Sequence, residues 1–201
     1  MMTVSVDIAT SIKHLNNIQR KQIPFATSKA LNQTAFDSIK TLSKQTLTKI
    51  DTPTKFTQKA FQVKKSKKTN LIAKVFIKPI QAKYFKYLIW GGTRTASGRR
   101  LNVPSTNTRL NKFGNIPRTR VPKLLQDSKH FSGIPKGRSG QDSAGIWKRG
   151  GKNIKMVIAF QQSTSYDPGR FPFHDIVKGV VNRKFKKNFD GSLKQALRTA
   201  K

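Results

Sequence analysis

The chain has 201 residues, 35% of them hydrophobic, and carries 41 Lys plus Arg against eight acidic residues, for a formal net charge of +33. All eight acids are Asp, and the absence of Cys excludes disulfides and thiolate metal sites. Self-repulsion at such a charge disfavours an isolated compact chain, so a polyanionic surface is expected as partner: nucleic acid, an acidic membrane or an acidic protein wall.

The elements follow in chain order. Residues 1 to 12 lack a charged segment followed by an apolar one and are not expected to be a secretory signal. Ile8, Ile12, Leu15 and Ile18 recur at helical spacing. Pro24 then sits where a new helix would start, in its tolerated first turn. From there Phe25, Ala30, Leu31, Ala35, Phe36, Ile39, Leu42 and Leu47 form an apolar stripe, opposite Lys29, Asn32, Gln33, Lys40 and Lys44. One long amphipathic helix is predicted over 24–49. Asp51-Thr52-Pro53 stops it and leads into a short helix around 54–61. The runs 61–68 and 71–78 alternate in the manner of a β-hairpin joined at Thr69-Asn70. Residues 79–90 read as helix again, closed by Gly91-Gly92.

Residues 93–145 are different in kind. Four prolines and six glycines interrupt them, and eleven basic residues face only Asp127 and Asp142. A stretch of this length without periodicity is expected to be functional or disordered. It nevertheless carries Leu110, Phe113, Ile116, Leu124, Leu125 and Phe131, apolar anchors that a pure linker would lack. The expectation is an extended basic arm that orders against neighbours. Beyond it, 146–147 and 154–160 read as a second strand pair with a turn at Gly150-Gly151. Phe171-Pro172-Phe173 opens the last helix, whose stripe includes Ile176, Val177, Val180, Phe185, Phe189, Leu193 and Leu197; Gly179 and Gly191 weaken it.

The inventory for catalysis is poor. General acid–base or metal chemistry needs clustered carboxylates, His or Cys. His14, His130 and His174 fall in different segments, and Asp175 beside His174 reads as a favourable charge at a helix N-terminus. The segment Gly133 to Gly140 has Gly, Lys and Ser but not the spacing of a phosphate-binding loop. No catalytic residue, metal ligand or cofactor site is expected. The basic clusters carry the functional signal: Lys64, Lys65, Lys67 and Lys68; Arg94, Arg99 and Arg100, extended by Arg109, Arg118 and Arg120; and Arg183, Lys184, Lys186 and Lys187. A single such run is usually a solvated face, but together they form an electrostatic footprint. Tyr84, Phe85 and Tyr87 are read as core, not as base-stacking platforms. No sequence-reading DNA or RNA motif is present. The longest apolar stretch, near Tyr84 to Trp90, is far short of the ~20 residues of a membrane span, so no membrane partner is expected.

The order of these features resembles the phage minor tail protein Z family, the tail-completion proteins typified by phage lambda. The resemblance rests on Ile23-Pro24-Phe25 continuing through Ala30-Leu31-Asn32, on a short helix followed by a Lys-rich hairpin over 54–78, and on Phe171-Pro172 leading into a long basic helix. Tyr87 to Arg94 and the Asn111-Lys112-Phe113-Gly114-Asn115-Ile116-Pro117 segment are also similar to phage-protein relatives, although the middle is longer than in the lambda-type pattern. The resemblance implies a small α+β domain that assembles as a ring, often hexameric, near the head-proximal end of a tail. It transfers no catalytic residue.

The expected fold is therefore α+β: a small antiparallel sheet packed by a long N-terminal helix and a C-terminal helix, with a long extended basic arm. Residues 1–92 and 146–201 are expected to build one domain, and 93–145 the arm. The expected function is that of a structural subunit of a bacteriophage neck or tail, assembled in the host cytoplasm, a homo-oligomeric ring binding portal, connector or tail proteins. Contact with packaged DNA is open on this reading. The alternative is a nucleic-acid-binding packaging, chromatin-like or ribosome-associated factor without sequence preference.

Overall fold

The computed structural model describes residues 1–6, 17–98, 100–136, 144–150 and 153–199. The chain divides into two compact units, Met1–Ile89 with Gly169–Lys201, and Trp90–Pro168. The architecture is α+β, with antiparallel sheets and with a long N-terminal helix and a C-terminal helix packed together.

In the first unit, β1 (Met2–Ser5), β2 (Phe61–Lys64) and β3 (Ile72–Ile77) form a sheet in the order β1-β3-β2, antiparallel throughout. The helices are α1 (Asn17–Lys49), α2 (Lys55–Gln58), α3 (Pro79–Trp90) and α5 (Phe173–Arg198). Lys29 Nζ donates to Gln195 Oε1 at 2.6 Å, while Asn188 reaches Thr34 and Asp37 further along α1. The pairings run in opposite order, so α1 and α5 are antiparallel. Their buried surfaces include many small residues, Ala26, Thr27, Ala30, Thr34 and Ser38 on α1 and Ser192 and Ala196 on α5, beside the larger Leu31, Leu42, Val177 and Val180. Three of the buried hydroxyls are satisfied within α1 itself. Thr27, Ser38 and Thr46 each donate to the carbonyl four residues earlier at 2.8 Å. Small side chains on such a face let two helices approach closely.

The expectation of a helix beginning at Pro24 is corrected. α1 begins at Asn17 and runs through Pro24. Proline removes one intrahelical bond, at a cost of ~3 kcal/mol or more, and burial of the segment that follows works against that cost. The stripe is also corrected in part: Phe25, Phe36 and Leu47 are 39%, 42% and 57% exposed, although Leu31, Ala35 and Leu42 are buried as expected. The expected helical spacing of Ile8, Ile12 and Leu15 lies outside the described residues.

An aromatic cluster fills the heart of this unit. Phe61 stands edge-on to Phe85 at 5.6 Å between centroids and stacks on Phe171 at 5.9 Å and on Phe173 at 6.2 Å. Such pairs contribute about 0.5–1.5 kcal/mol each beyond the area they bury. Thr54 caps α2, its hydroxyl accepting the Thr57 N–H at 3.2 Å. The 61–78 hairpin and the 79–90 helix form as expected.

In the second unit, β5 (Leu101–Pro104), β8 (Lys155–Gln161), β7 (Gly145–Lys148) and β6 (His130–Gly133) make an antiparallel sheet in that order. β4 (Gly92–Thr95) and β9 (Ser163–Tyr166) form a separate two-stranded ribbon. Helix α4 (Arg120–Gln126) presses Leu124 onto Ile146, Val157 and Ile158.

The extended arm is thus corrected. Residues 93–145 contribute β4, β5, α4, β6 and the start of β7 to one unit with β8 and β9. The single-domain division at 92 and 145 gives way to boundaries at 89/90 and 168/169. The physical reason lies in the polar residues. Asn111 Oδ1 accepts the backbone N–H groups of Phe113 and Asn115 at 2.9 and 3.0 Å, closing a turn that uses Gly114 at φ +70°. Ser105 and Thr108 donate their hydroxyls to the Val157 carbonyl, and Asn107 donates to that of Met156. Side chains that read as linker composition tie the loop to β8.

Candidate functional site

The expected basic residues divide between the two units. Lys64, Lys65, Lys67 and Lys68 are all exposed and surround the tip of the β2–β3 hairpin, whose two-residue turn is closed by reciprocal Lys67–Asn70 backbone bonds at 2.9 and 3.0 Å. Arg183, Lys184, Lys186 and Lys187 are exposed on α5. Lys186 lies 2.9 Å from Asp190, and this hydrogen bond holds its ammonium above the usual lysine pKa. Arg94 on β4, and Arg100, Arg109 and Arg118, are exposed in the second unit; Arg120 is half-buried at the start of α4. Arg99 lies outside the described residues. The Arg94 to Arg120 set therefore belongs to a different body from the two lysine clusters.

The anchors also separate. Leu124 is buried and Ile116 packs beside it, whereas Leu110 and Leu125 are 39% and 52% exposed. Phe113 and Phe131 are half-buried, each under a cation: Lys112 Nζ at 5.2 Å and the Arg149 guanidinium at 5.0 Å. Leu124 and Ile116 are core of their own unit, a correction to their expected role as anchors on neighbouring subunits.

The hairpin tip is fixed to α1 by a compact polar lock. The Asn32 amide accepts the Ser66 N–H at 2.8 Å and donates to the Ser66 carbonyl at 3.2 Å, as a neighbouring strand would. The Ser66 hydroxyl donates to the Ser28 carbonyl at 3.0 Å, which leaves the Ser28 hydroxyl as donor in the 3.0 Å Ser28–Ser66 pair. Ser66 is buried while the four lysines around it are exposed. On the helix beside it, Phe25 and Phe36 lie open, with Lys68 Nζ at 5.4 Å and Lys65 Nζ at 5.5 Å from their ring centroids. Phe25, Lys29, Asn32 and Phe36 form one stripe at helical spacing.

A second exposed groove of the same unit, about 680 Å³, is lined by Phe56, Ile80 and Pro79 between Lys55, Lys59 and Lys78. Its floor is built. Buried Gln81 donates to the Phe56 carbonyl at 3.3 Å, and Tyr84 donates to Thr57 Oγ1 at 3.2 Å. Burial pushes the Tyr84 phenol up from its ordinary pKa. Phe56 and Ile80 are 54% and 66% exposed. Composition and periodicity missed both grooves, because only tertiary packing sets the hairpin lysines beside Phe25, Lys29 and Phe36, and Phe56 beside Ile80.

Phe85 lies in the core, where the sequence put it. Asp175 sits in the first turn of α5, and His174 meets the Phe173 ring edge-on at 5.2 Å. His130 Nδ1 lies 2.9 Å from Asp127 Oδ2, but Asp127 is engaged as a turn cap. The Lys129 N–H bonded to it at 2.9 Å is the main cause that holds its carboxyl below the usual range. Gly133 ends β6, and positions 137–140 of the glycine-rich stretch lie outside the described residues, as does His14. No three His, Asp or Glu side chains gather as metal ligands among the described residues, and no helix there is long and apolar enough to cross a membrane. Compared with protein-family models, with curated proteins and with solved structures, the chain matches nothing.

Proposed function

We propose that this chain is a structural subunit of a bacteriophage neck or tail, a tail-completion or head–tail joining ring protein of the minor tail protein Z kind. It binds neighbouring virion proteins and catalyses no reaction. The observation that carries the reading is the groove of Phe56 and Ile80 set among Lys55, Lys59 and Lys78. Apolar side chains left in water beside unpaired positive charge suit a neighbour that offers an acidic rim and an apolar anchor. The α+β body, a sheet packed with a long N-terminal and a C-terminal helix, is the architecture that the sequence resemblance implies.

Copies that each carry +33 repel one another, so closing a ring, hexameric on this reading, needs acidic surfaces alongside. Portal, connector and tube proteins would supply them after synthesis in the host cytoplasm. The test is a Phe56→Asp, Ile80→Asp double variant in the phage that encodes the chain. The variant should fold, since both side chains are exposed, yet be missing from purified particles, which would accumulate unjoined heads and tails. Normal incorporation with normal infectivity would overturn the reading, as would particles that lack the unaltered chain.

A further inference from the structure

We infer that the tip of the β2–β3 hairpin and the adjoining face of α1 form a binding site for single-stranded nucleic acid, in which lysines hold the phosphates and Phe25 and Phe36 stack on bases.

The charge at the tip is unfavourable in isolation. Lys64 and Lys74 are direct cross-strand partners, and like charges placed opposite each other destabilise a sheet. Lys65 and Lys67 line both faces of the hairpin, joined by Lys64 and Lys74 on one side and by Lys29 and Lys68 on the other. None of the residues lining either face is acidic. Five ammonium groups around one tip, with that of Lys29 beside them held by Gln195, call for a ligand with evenly repeated negative charge, which relieves their repulsion together.

The two rings distinguish a nucleic acid from an acidic peptide. Phe25 and Phe36 are eleven positions apart on α1 and so lie on one face about 16 Å apart, roughly five nucleotides at the stacked rise of a strand. They are exposed on the same face that carries the lysines, and each ring is already under an ammonium group. A flexible lysine side chain can leave the ring for a phosphate, and the uncovered ring then takes a base. This combination of a cationic track and separated aromatic faces is how proteins hold single strands without reading sequence. The Asn32–Ser66 lock keeps the tip in place before binding, so the ligand need not order the loop.

The inference does not rest on the virion reading, because purified full-length chain suffices to test it. Fluorescence anisotropy with a labelled oligo-dT strand, its duplex and a poly-Glu competitor measures affinity across salt. The strand should bind more tightly than the duplex, and its log Kd should vary steeply with log salt. Changing Lys65, Lys67 and Lys68 together to Gln should weaken binding at least tenfold and lower the salt slope by about 2. Phe25→Leu with Phe36→Leu should weaken it by roughly tenfold and leave the salt slope unchanged. Lys184→Gln, Lys186→Gln and Lys187→Gln on α5, an equal loss of charge, should cost less than the hairpin set. Photocrosslinking of a 5-iodouracil strand to unaltered protein should map to the peptides holding Phe25 or Phe36, which keeps the test decisive if a variant misfolds. Unchanged affinity in the Phe variant, crosslinks confined to other segments, or tighter binding of duplex would each overturn the inference. Poly-Glu binding that depends on the two rings would assign the site to an acidic protein instead.

Discussion

The two units stabilise themselves by different means. The first packs four Phe rings and two antiparallel helices around a three-stranded sheet. The second buries Trp147 and a cluster of Leu124, Ile146, Val157 and Ile158, bordered by Ile116, Val121 and Phe160, and draws further on backbone pairing and loop hydrogen bonds. The difference teaches where a highly charged chain can place its apolar side chains. Four Phe rings gather in one body. Among its described residues the other buries a single large ring, Trp147 on β7, whose indole N–H donates to the Gly133 carbonyl at 3.2 Å, and adds geometry that small and polar residues supply.

Breaking the comparison begins with the rings. Phe85→Ala should cost about 3–5 kcal/mol by chemical denaturation, since the ring is wholly buried among Phe61, Tyr84 and Phe171. Hydrogen exchange should accelerate in α1, α3 and α5 and leave the β7–β8 amides protected. Equal loss of protection throughout would mean that the units share one cooperative core. The converse change, Ile158→Ala, should cost about 2–5 kcal/mol and expose β5 to β8 first. Gly145→Ala sharpens the point about geometry. A Cβ there would meet the Ile158 carbonyl oxygen at 2.3 Å, so the strand must shift, at roughly 1–3 kcal/mol read from the denaturation midpoint. Gly191→Ala in α5 has nothing within 4 Å of the added carbon and should stabilise the first unit by about 0.5–1 kcal/mol.

The smallest effect is a pH dependence in the second unit. The Asp127 carboxyl lies below its ordinary pKa in the folded chain, chiefly through the Lys129 N–H. A depressed folded pKa favours the fold above the unfolded value and loses that contribution as pH falls through the folded one. Asp127→Asn should therefore lower stability slightly at neutral pH and flatten the acid-side loss, the two curves converging at low pH where the parent carboxyl is protonated. A variant curve parallel to the parent throughout would show the turn to be electrostatically neutral.

Much of the first unit was legible in the sequence and little of the second. Helix spacing, the Gly91 stop and the Lys-flanked alternation of 61–78 announce themselves because each is a local signal. The α1 stripe misled where large apolar residues were ranked above small ones. Phe25 and Phe36 lie outside because the α1 and α5 backbones approach through Ala and Ser, a choice that hydrophobic periodicity cannot see. β4, β5, β6 and β9 are four residues long and rich in Thr, Ser, Asn and Gly. Such strands exist only through partners distant in sequence, as with Arg94 opposite Thr164. The lysine clusters of the candidate site were visible as charge, but the rings and the Ser66 lock that turn charge into a surface were not.

Gly91 carries one more consequence. At φ +68°, a Cβ on it would lie 2.7 Å from the Pro168 nitrogen, and just outside, the Gly169 N–H meets the Ile89 carbonyl at 3.2 Å. The chain thus leaves the first body and returns to it at a single doorway. Everything between is a cassette: a few glycines could bridge 89 to 169, and a foreign module with adjacent ends could be spliced in its place.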